Sequence, residues 1–105
     1  MIRKFGTNAF GGPFSVEVIN TVWTKGKSVI GFDSNIWRKD SCGAWIKRED
    51  YGKTNSSTGW EIDHVIPITK NGTDIITNLQ PLHWENNRGK SNDWPNWKCT
   101  VTATK

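Results

Sequence analysis

The succession of predicted elements in residues 60–92 constrains the fold more than any other feature of the sequence. Residues 60–67, W-E-I-D-H-V-I-P, are typical of a strand, and Pro67 terminates it. Residues 75–82 contain a second short strand that is broken at Pro81, and residues 83–92 are typical of a short polar helix. The predicted order of this segment is therefore strand, loop, strand, helix.

The first half of the chain adds less regular elements. Residues 1–14 are punctuated by glycine and proline and are predicted to be a poorly ordered lead-in. Ser15 is a suitable N-cap for a short helix, although a strand over the same residues competes with it. The apolar residues at helical spacing there are Val16, Ile19, Val22 and Trp23. With a hairpin or tight turns at residues 41–52, these elements predict an α+β fold in one domain spanning residues 1–105.

Composition and charge favour a nucleic-acid partner over a membrane partner. The chain has 105 residues, seven of them tryptophan, and these large side chains can supply buried area that aliphatic residues do not. The formal net charge of +4 fits an anionic partner such as nucleic acid. No run approaches the roughly 18 apolar residues of a membrane span, and the first residues lack the apolar stretch of a signal peptide. We expect no membrane partner and a cytoplasmic location, in a bacterial cell or a phage-infected host.

The chain contains two cysteines, Cys42 and Cys99. They form no C-x-x-C pair, so their thiolates alone cannot build a tetrahedral zinc knuckle. A cytoplasmic location favours two buried thiols over a disulfide, because that compartment is reducing. The prediction is two thiols and no zinc knuckle, with a disulfide as the alternative.

Side chains suited to metal-assisted hydrolysis gather in the strand, loop, strand, helix segment. Both histidines of the chain, His64 and His83, lie there, and Asp63 precedes the first. A carboxylate and a neutral imidazole are natural ligands for a divalent cation, and an imidazole exchanges protons near neutral pH, so it can activate water. Neighbours on an ideal strand point to opposite faces, so the strand must twist or end if Asp63 and His64 serve one reaction centre.

The spacing of these residues resembles the HNH nuclease motif. The matching runs are E-I-D-H-V-I-P at 61–67, N-G-T-D at 71–74, N-L-Q-P-L at 78–82 and N-N-R-G-K-S at 86–91. Their order and spacing are specific together, although a D-H pair alone is not. The resemblance implies a ββα-metal core, also called a His-Me finger, and hydrolysis of phosphodiester bonds in DNA.

The resemblance also implies roles for individual residues. Asp63 is similar to the first metal ligand of the motif, Asn87 to the last, and His64 to the general base. Asn78 is similar to the middle asparagine, which braces the loop and orients the catalytic histidine. One divalent cation is implied, with Mg²⁺ expected and Mn²⁺ or another divalent ion as alternatives.

Residues around the motif are assigned from their chemistry. Arg88 and Lys90 follow Asn87 and are expected to hold phosphates that flank the cleaved bond. His83 lies four residues before Asn87, on the same face of a helix, where it is either a further metal ligand or a packing and hydrogen-bonding residue. The acids expected on the solvated surface are Glu61, Glu85 and Asp93.

The expected activity is metal-dependent cleavage of DNA, by nicking or by double-strand cutting. One alternative keeps the fold as a nucleic-acid-binding module that is catalytically silent or depends on a partner. Another is a nuclease that acts on RNA, since the same residues would support it. The sequence leaves open whether the chain forms a homodimer or part of a larger nuclease assembly.

Overall fold

The protein has a small α+β fold with two antiparallel hairpins and helices, seen in a computed structural model that describes residues 4–103. The elements are α1 (Val16–Trp23), β1 (Trp37–Lys39), β2 (Trp45–Lys47), β3 (Trp60–His64), β4 (Leu79–His83) and α2 (Trp84–Lys90). The predicted α+β class is confirmed. Within the described residues, none of the helices has the length and apolar character needed to cross a membrane.

Helix α1 forms where the sequence predicts it. Ser15 has an extended backbone, and its side chain accepts a hydrogen bond from the backbone N–H of Val18, as an N-cap does. Val22 and Trp23 are buried at the end of the helix, so the helical spacing of the apolar residues places one stripe in the core. The competing strand interpretation is therefore wrong.

Strands β3 and β4 pair antiparallel and form the hairpin against which α2 packs. All five residues of β3 are buried, because Trp60 and Ile62 lie in the core while side chains on the other face meet α2. Strand β4 passes through Pro81, which pairs with Ile62, so the predicted break at that proline is wrong. In a two-stranded sheet each strand is an edge strand, and a proline can be placed there without losing a central ladder bond.

The N-terminal segment packs against the rest of the fold instead of forming a poorly ordered lead-in. Phe14 is buried in the core beside α1 and β3. The backbone N–H of Ala9 donates to both carboxylate oxygens of Asp74 at 3.0 Å. The prediction was therefore wrong for residues 4–14, because long-range contacts fix a glycine-rich stretch, while residues 1–3 lie outside the described part of the chain.

The two cysteines form a disulfide, so the prediction of two thiols is wrong. Cys42 and Cys99 are joined across 57 positions of sequence, with their Cα atoms 5.8 Å apart. The C-terminal segment reaches this point because the buried Asn86 side chain binds it: its Oδ1 accepts from the N–H groups of Thr100 and Val101 at 2.7 and 2.8 Å. The contact of residues 100–101 with α2 thus holds Cys99 next to Cys42.

Reduction of the disulfide is expected to lower the free energy of unfolding by about 4 kcal/mol, because the bond closes a long loop in the unfolded chain. Urea unfolding with and without a reductant measures this loss. The double variant Cys42→Ser, Cys99→Ser is the control, and its unfolding midpoint should not respond to the reductant. A wild-type midpoint that is equally unresponsive would contradict the prediction, as would two titratable thiols in the purified protein.

Candidate active site

An open cleft of about 370 Å³ lies where β3 ends beside α2. Asp63, His64 and Asn87 all line it, so the fold brings together three of the residues predicted from the sequence. Residues 4–7 of the N-terminal segment form part of the wall. Strand β3 ends at His64, which is the break in strand geometry that the sequence required if Asp63 and His64 were to serve one centre.

Asp63 presents a buried carboxylate to this cleft. It is 6% exposed, accepts a hydrogen bond from Gln80 Nε2 at 2.9 Å, and lies 3.3 Å from Lys90 Nζ. Burial raises the pKa of Asp63, while the hydrogen bond from Gln80 and the charge of Lys90 act in the opposite direction. The carboxylate is therefore only partly compensated by its protein neighbours, and a further cation in the cleft would favour its charged form.

Lys90 is inside the protein, which contradicts the expectation that it holds a phosphate of DNA. Its side chain is fully buried, and Nζ donates to the backbone carbonyl of His64 at 3.0 Å in addition to its contact with Asp63. An ionised carboxylate is costly to bury without a partner, and Lys90 supplies that partner from the last turn of α2. Lys90 thus fixes the positions of both Asp63 and His64.

Glu61 orients the amide of Asn87. Glu61 is 5% exposed, so the expectation of a solvated acid is wrong, and its Oε1 accepts from Asn87 Nδ2 at 3.0 Å. Since the amide nitrogen is turned toward this carboxylate, the amide oxygen faces the other way. Asn87 is itself buried, and among residues 4–103 no donor reaches its Oδ1. A buried amide oxygen without a donor at a cleft is suited to a cation.

His64 is paired with an acid that the sequence analysis did not single out. Its Nε2 lies 2.7 Å from Oδ1 of Asp74, whose carboxylate also accepts from the Ala9 N–H. Within the described part of the chain, His64 Nδ1 has no hydrogen-bonding partner. Asp74 is the last residue of the N-G-T-D run and lies ten positions after His64. This acid within the motif is the sequence feature from which its pairing with His64 could have been predicted.

Asn78 ties together the two ends of the loop that joins β3 to β4. Its Oδ1 accepts from the N–H of Ile66 at 2.8 Å, and its Nδ2 donates to the carbonyls of Ile66 and Thr73 at 3.1 and 2.9 Å. These bonds hold the residue before Asp74 against the residues that follow His64. Asn78 thus makes the hydrogen bonds expected of a residue that braces this loop. The braced loop places Asp74 next to the imidazole of His64.

His83 stabilises the start of α2 instead of lining the cleft. It is fully buried and caps α2, where its Nδ1 accepts from the N–H of Glu85 at 3.1 Å while its Nε2 lies 2.9 Å from the carbonyl of Ser57. His83 is not among the described residues that line the cleft. Both ring nitrogens are engaged, which favours the packing and hydrogen-bonding alternative over a metal ligand.

Arg88 stays at the surface beside the cleft. Its side chain is 42% exposed, with one guanidinium nitrogen 3.2 Å from Glu61 Oε2. The guanidinium also lies 4.5 Å from the centre of the Phe5 ring, on the N-terminal wall of the cleft. Of the two basic residues predicted to contact DNA, only Arg88 remains accessible to a phosphate.

Comparison with known protein families identifies a match for the segment that carries the cleft residues. A family model described as HNH endonuclease matches residues 42–93. The matched range begins in the turn between β1 and β2 and ends three residues after α2. It contains Asp63, His64, Asp74 and Asn87. Searches of curated proteins and of solved structures found no significant match.

Proposed function

The chain belongs to the HNH endonuclease family, and we propose that it hydrolyses phosphodiester bonds of DNA with one divalent cation held by Asp63 and Asn87. One observation carries this proposal. A partly compensated carboxylate, an amide oxygen with no donor among the described residues, and an imidazole paired with an acid meet in a single cleft. These are the groups that hydrolysis assisted by one cation requires.

The donor atoms fit a hard cation. Asp63 and Asn87 offer oxygen, and Mg²⁺ commonly binds through one or two protein ligands while keeping several of its waters. Mn²⁺ accepts the same oxygen ligands. When bound, the cation supplies positive charge to the scissile phosphate and to the leaving oxygen. Lys90 and Gln80 keep the Asp63 carboxylate in place for this role, and Glu61 does the same for the Asn87 amide.

His64 is the general base in this mechanism. A neutral imidazole whose Nε2 donates to Asp74 carries its proton on Nε2, so its Nδ1 lone pair can take a proton from the attacking water. The Asp74 carboxylate then stabilises the imidazolium that forms. Asp74 is itself held by the Ala9 N–H, so the base is positioned from two distant parts of the chain.

We extend the proposal to the architecture. Strand β3 supplies Asp63 and His64, the loop before β4 supplies Asp74, and α2 supplies Asn87. This arrangement of hairpin and helix is that of a ββα-metal core, within one nuclease domain over residues 1–105. The antiparallel pairing of β3 with β4 and the packing of α2 on both strands support it.

Cleavage of supercoiled plasmid tests the function. We expect relaxed circles with Mg²⁺ or Mn²⁺ and intact plasmid with EDTA, while linear product would indicate that both strands are cut. A folded RNA added as competitor separates a DNA nuclease from one that prefers RNA. Intact plasmid with both cations, in conditions where the protein binds the DNA, would replace this proposal by a binding module or a partner-dependent subunit.

Substitution of Asp74 by asparagine is expected to lower the cleavage rate by about 10- to 100-fold, less than loss of the base itself would. The amide keeps the size of the side chain but cannot stabilise an imidazolium as a carboxylate does. Single-turnover cleavage at saturating protein measures the effect, and DNA affinity in EDTA should change by less than about twofold. An unchanged rate would exclude Asp74 as a positioning residue for His64.

A further inference from the structure

Residues 8–12 form a tight turn, here named the N-terminal turn, that is built around the side chain of Asn8. The Asn8 Oδ1 accepts from the N–H groups of Phe10 and Gly12, each at 3.0 Å. The Asn8 backbone closes the turn with Gly12 at 2.8 Å and with Gly11 at 2.9 Å. Gly11 has a φ of 82°, a conformation that other residues rarely adopt. The turn is thus held in one conformation by four hydrogen bonds.

Phe10 occupies the tip of this turn and is 96% exposed. A single exposed apolar side chain is ordinary on a protein surface. Two features distinguish this one: the turn fixes its backbone, and the fixed backbone sits beside the candidate active site. Because the backbone of the turn is already ordered, a ligand that covers the ring does not have to order it.

The link to the active site runs through Ala9. Its N–H donates to Asp74, and Asp74 lies 2.7 Å from the general base His64. Phe10 is the next residue, and consecutive Cα atoms are about 3.8 Å apart. The exposed ring is therefore attached within a few ångströms of the acid that positions the base. Residues 4–7 line the cleft and lead directly into the turn, so Phe10 follows three positions after the cleft wall.

We propose that Phe10 stacks on a nucleobase of the DNA next to the phosphodiester bond that is cleaved, an inference that rests on the proposed function. Every base offers a flat π-face to an aromatic ring, and stacking on that face does not depend on the identity of the base. Arg88 and Lys4, the latter on the cleft wall, are placed to contact the flanking phosphates. Phosphates thus position the strand, and Phe10 contacts a base.

Binding measured in EDTA tests this contact apart from catalysis. The probes are a labelled thymidine oligonucleotide and the same sugar–phosphate chain without bases, read by fluorescence anisotropy. Phe10→Ala should bind the thymidine oligonucleotide about 5- to 150-fold more weakly than wild type, since base–aromatic stacking contributes about 1–3 kcal/mol. On the base-free chain the two proteins should bind equally. The slope of log affinity against log salt should be the same for both, because no phosphate contact is lost.

Three further variants identify the kind of contact. Phe10→Trp should keep the affinity of wild type, and Phe10→Leu should lose most of it because an aliphatic side chain cannot stack. Ile30→Ala is the matched control: Ile30 is a fully exposed apolar residue that lies outside both the N-terminal turn and the residues lining the cleft. It should bind the thymidine oligonucleotide like wild type. Thermal melting verifies that all the variants are folded.

The outcomes separate this inference from the proposed function. If wild type nicks plasmid and Phe10→Ala binds the thymidine oligonucleotide equally well, the stacking contact is refuted and the nuclease proposal stands. Retained affinity in Phe10→Leu would also refute stacking, since any apolar side chain would then serve. If wild type neither binds DNA nor cleaves it, both proposals fall together.

Discussion

Replacement of His64 by alanine is expected to slow plasmid cleavage by about 10²- to 10⁴-fold in a protein that remains folded. The imidazole is the group in the cleft with a ring nitrogen that no described residue engages, and its other nitrogen is held by Asp74. Rates are measured under single-turnover conditions with Mg²⁺, so that product release does not mask the chemical step. DNA binding in EDTA should be nearly unchanged.

The second histidine provides the matched control. His83 is buried and both of its nitrogens are engaged, so His83→Gln should reduce the free energy of unfolding by about 1–2 kcal/mol through its lost cap. Its cleavage rate should stay within a few fold of wild type while the protein is folded. The opposite result, full activity in His64→Ala and none in folded His83→Gln, would move the base to His83.

Replacement of Lys90 by methionine is expected to reduce the free energy of unfolding by about 3–5 kcal/mol, because it leaves the buried Asp63 carboxylate without its cation. Urea unfolding measures the loss. Lys53→Met is the matched control: Lys53 also faces a carboxylate, that of Asp50 at 3.4 Å, but its side chain is 56% exposed. An exposed pair of this kind contributes about 1 kcal/mol or less.

The loss in Lys90→Met should depend on pH. Burial raises the pKa of Asp63, so the folded protein keeps that proton to a higher pH than the unfolded chain does. The ionisation of Asp63 therefore lowers the free energy of unfolding as pH rises through its folded pKa, and removing Lys90 enlarges this loss. The deficit should be larger at about pH 8 than at about pH 5, and Mg²⁺ should restore part of it. A deficit that is the same at both values would contradict the assigned pair.

Short-range sequence features were sufficient to predict the strands and helices on which the candidate active site lies. The strand-forming residues before Pro67 and the Ser15 cap each act within a few residues, and both the β3 strand and the α1 helix follow. The motif runs placed Asp63, His64 and Asn87 on elements whose order was also readable from the sequence. These elements meet at one cleft because α2 packs against the hairpin of β3 and β4.

The partners of these residues could not be predicted, because they depend on packing between distant segments. Glu61 was expected in water and Lys90 on a DNA phosphate, since charged side chains are rarely buried. Their pairing with Asn87 and Asp63 makes burial tolerable. The contact between Ala9 and Asp74 spans 65 positions. No periodicity or motif spacing encodes a contact over that distance.

The disulfide has a topological consequence. It closes residues 42–99 into a covalent ring, and that ring carries every group assigned to the hydrolysis: Asp63, His64, Asp74 and Asn87. The N-terminal turn lies on an open arm outside the ring and touches it at Asp74. The arm can therefore be altered or exchanged without opening the ring. If both proposals hold, the aromatic contact with a base and the hydrolytic groups lie on covalently distinct parts of one short chain.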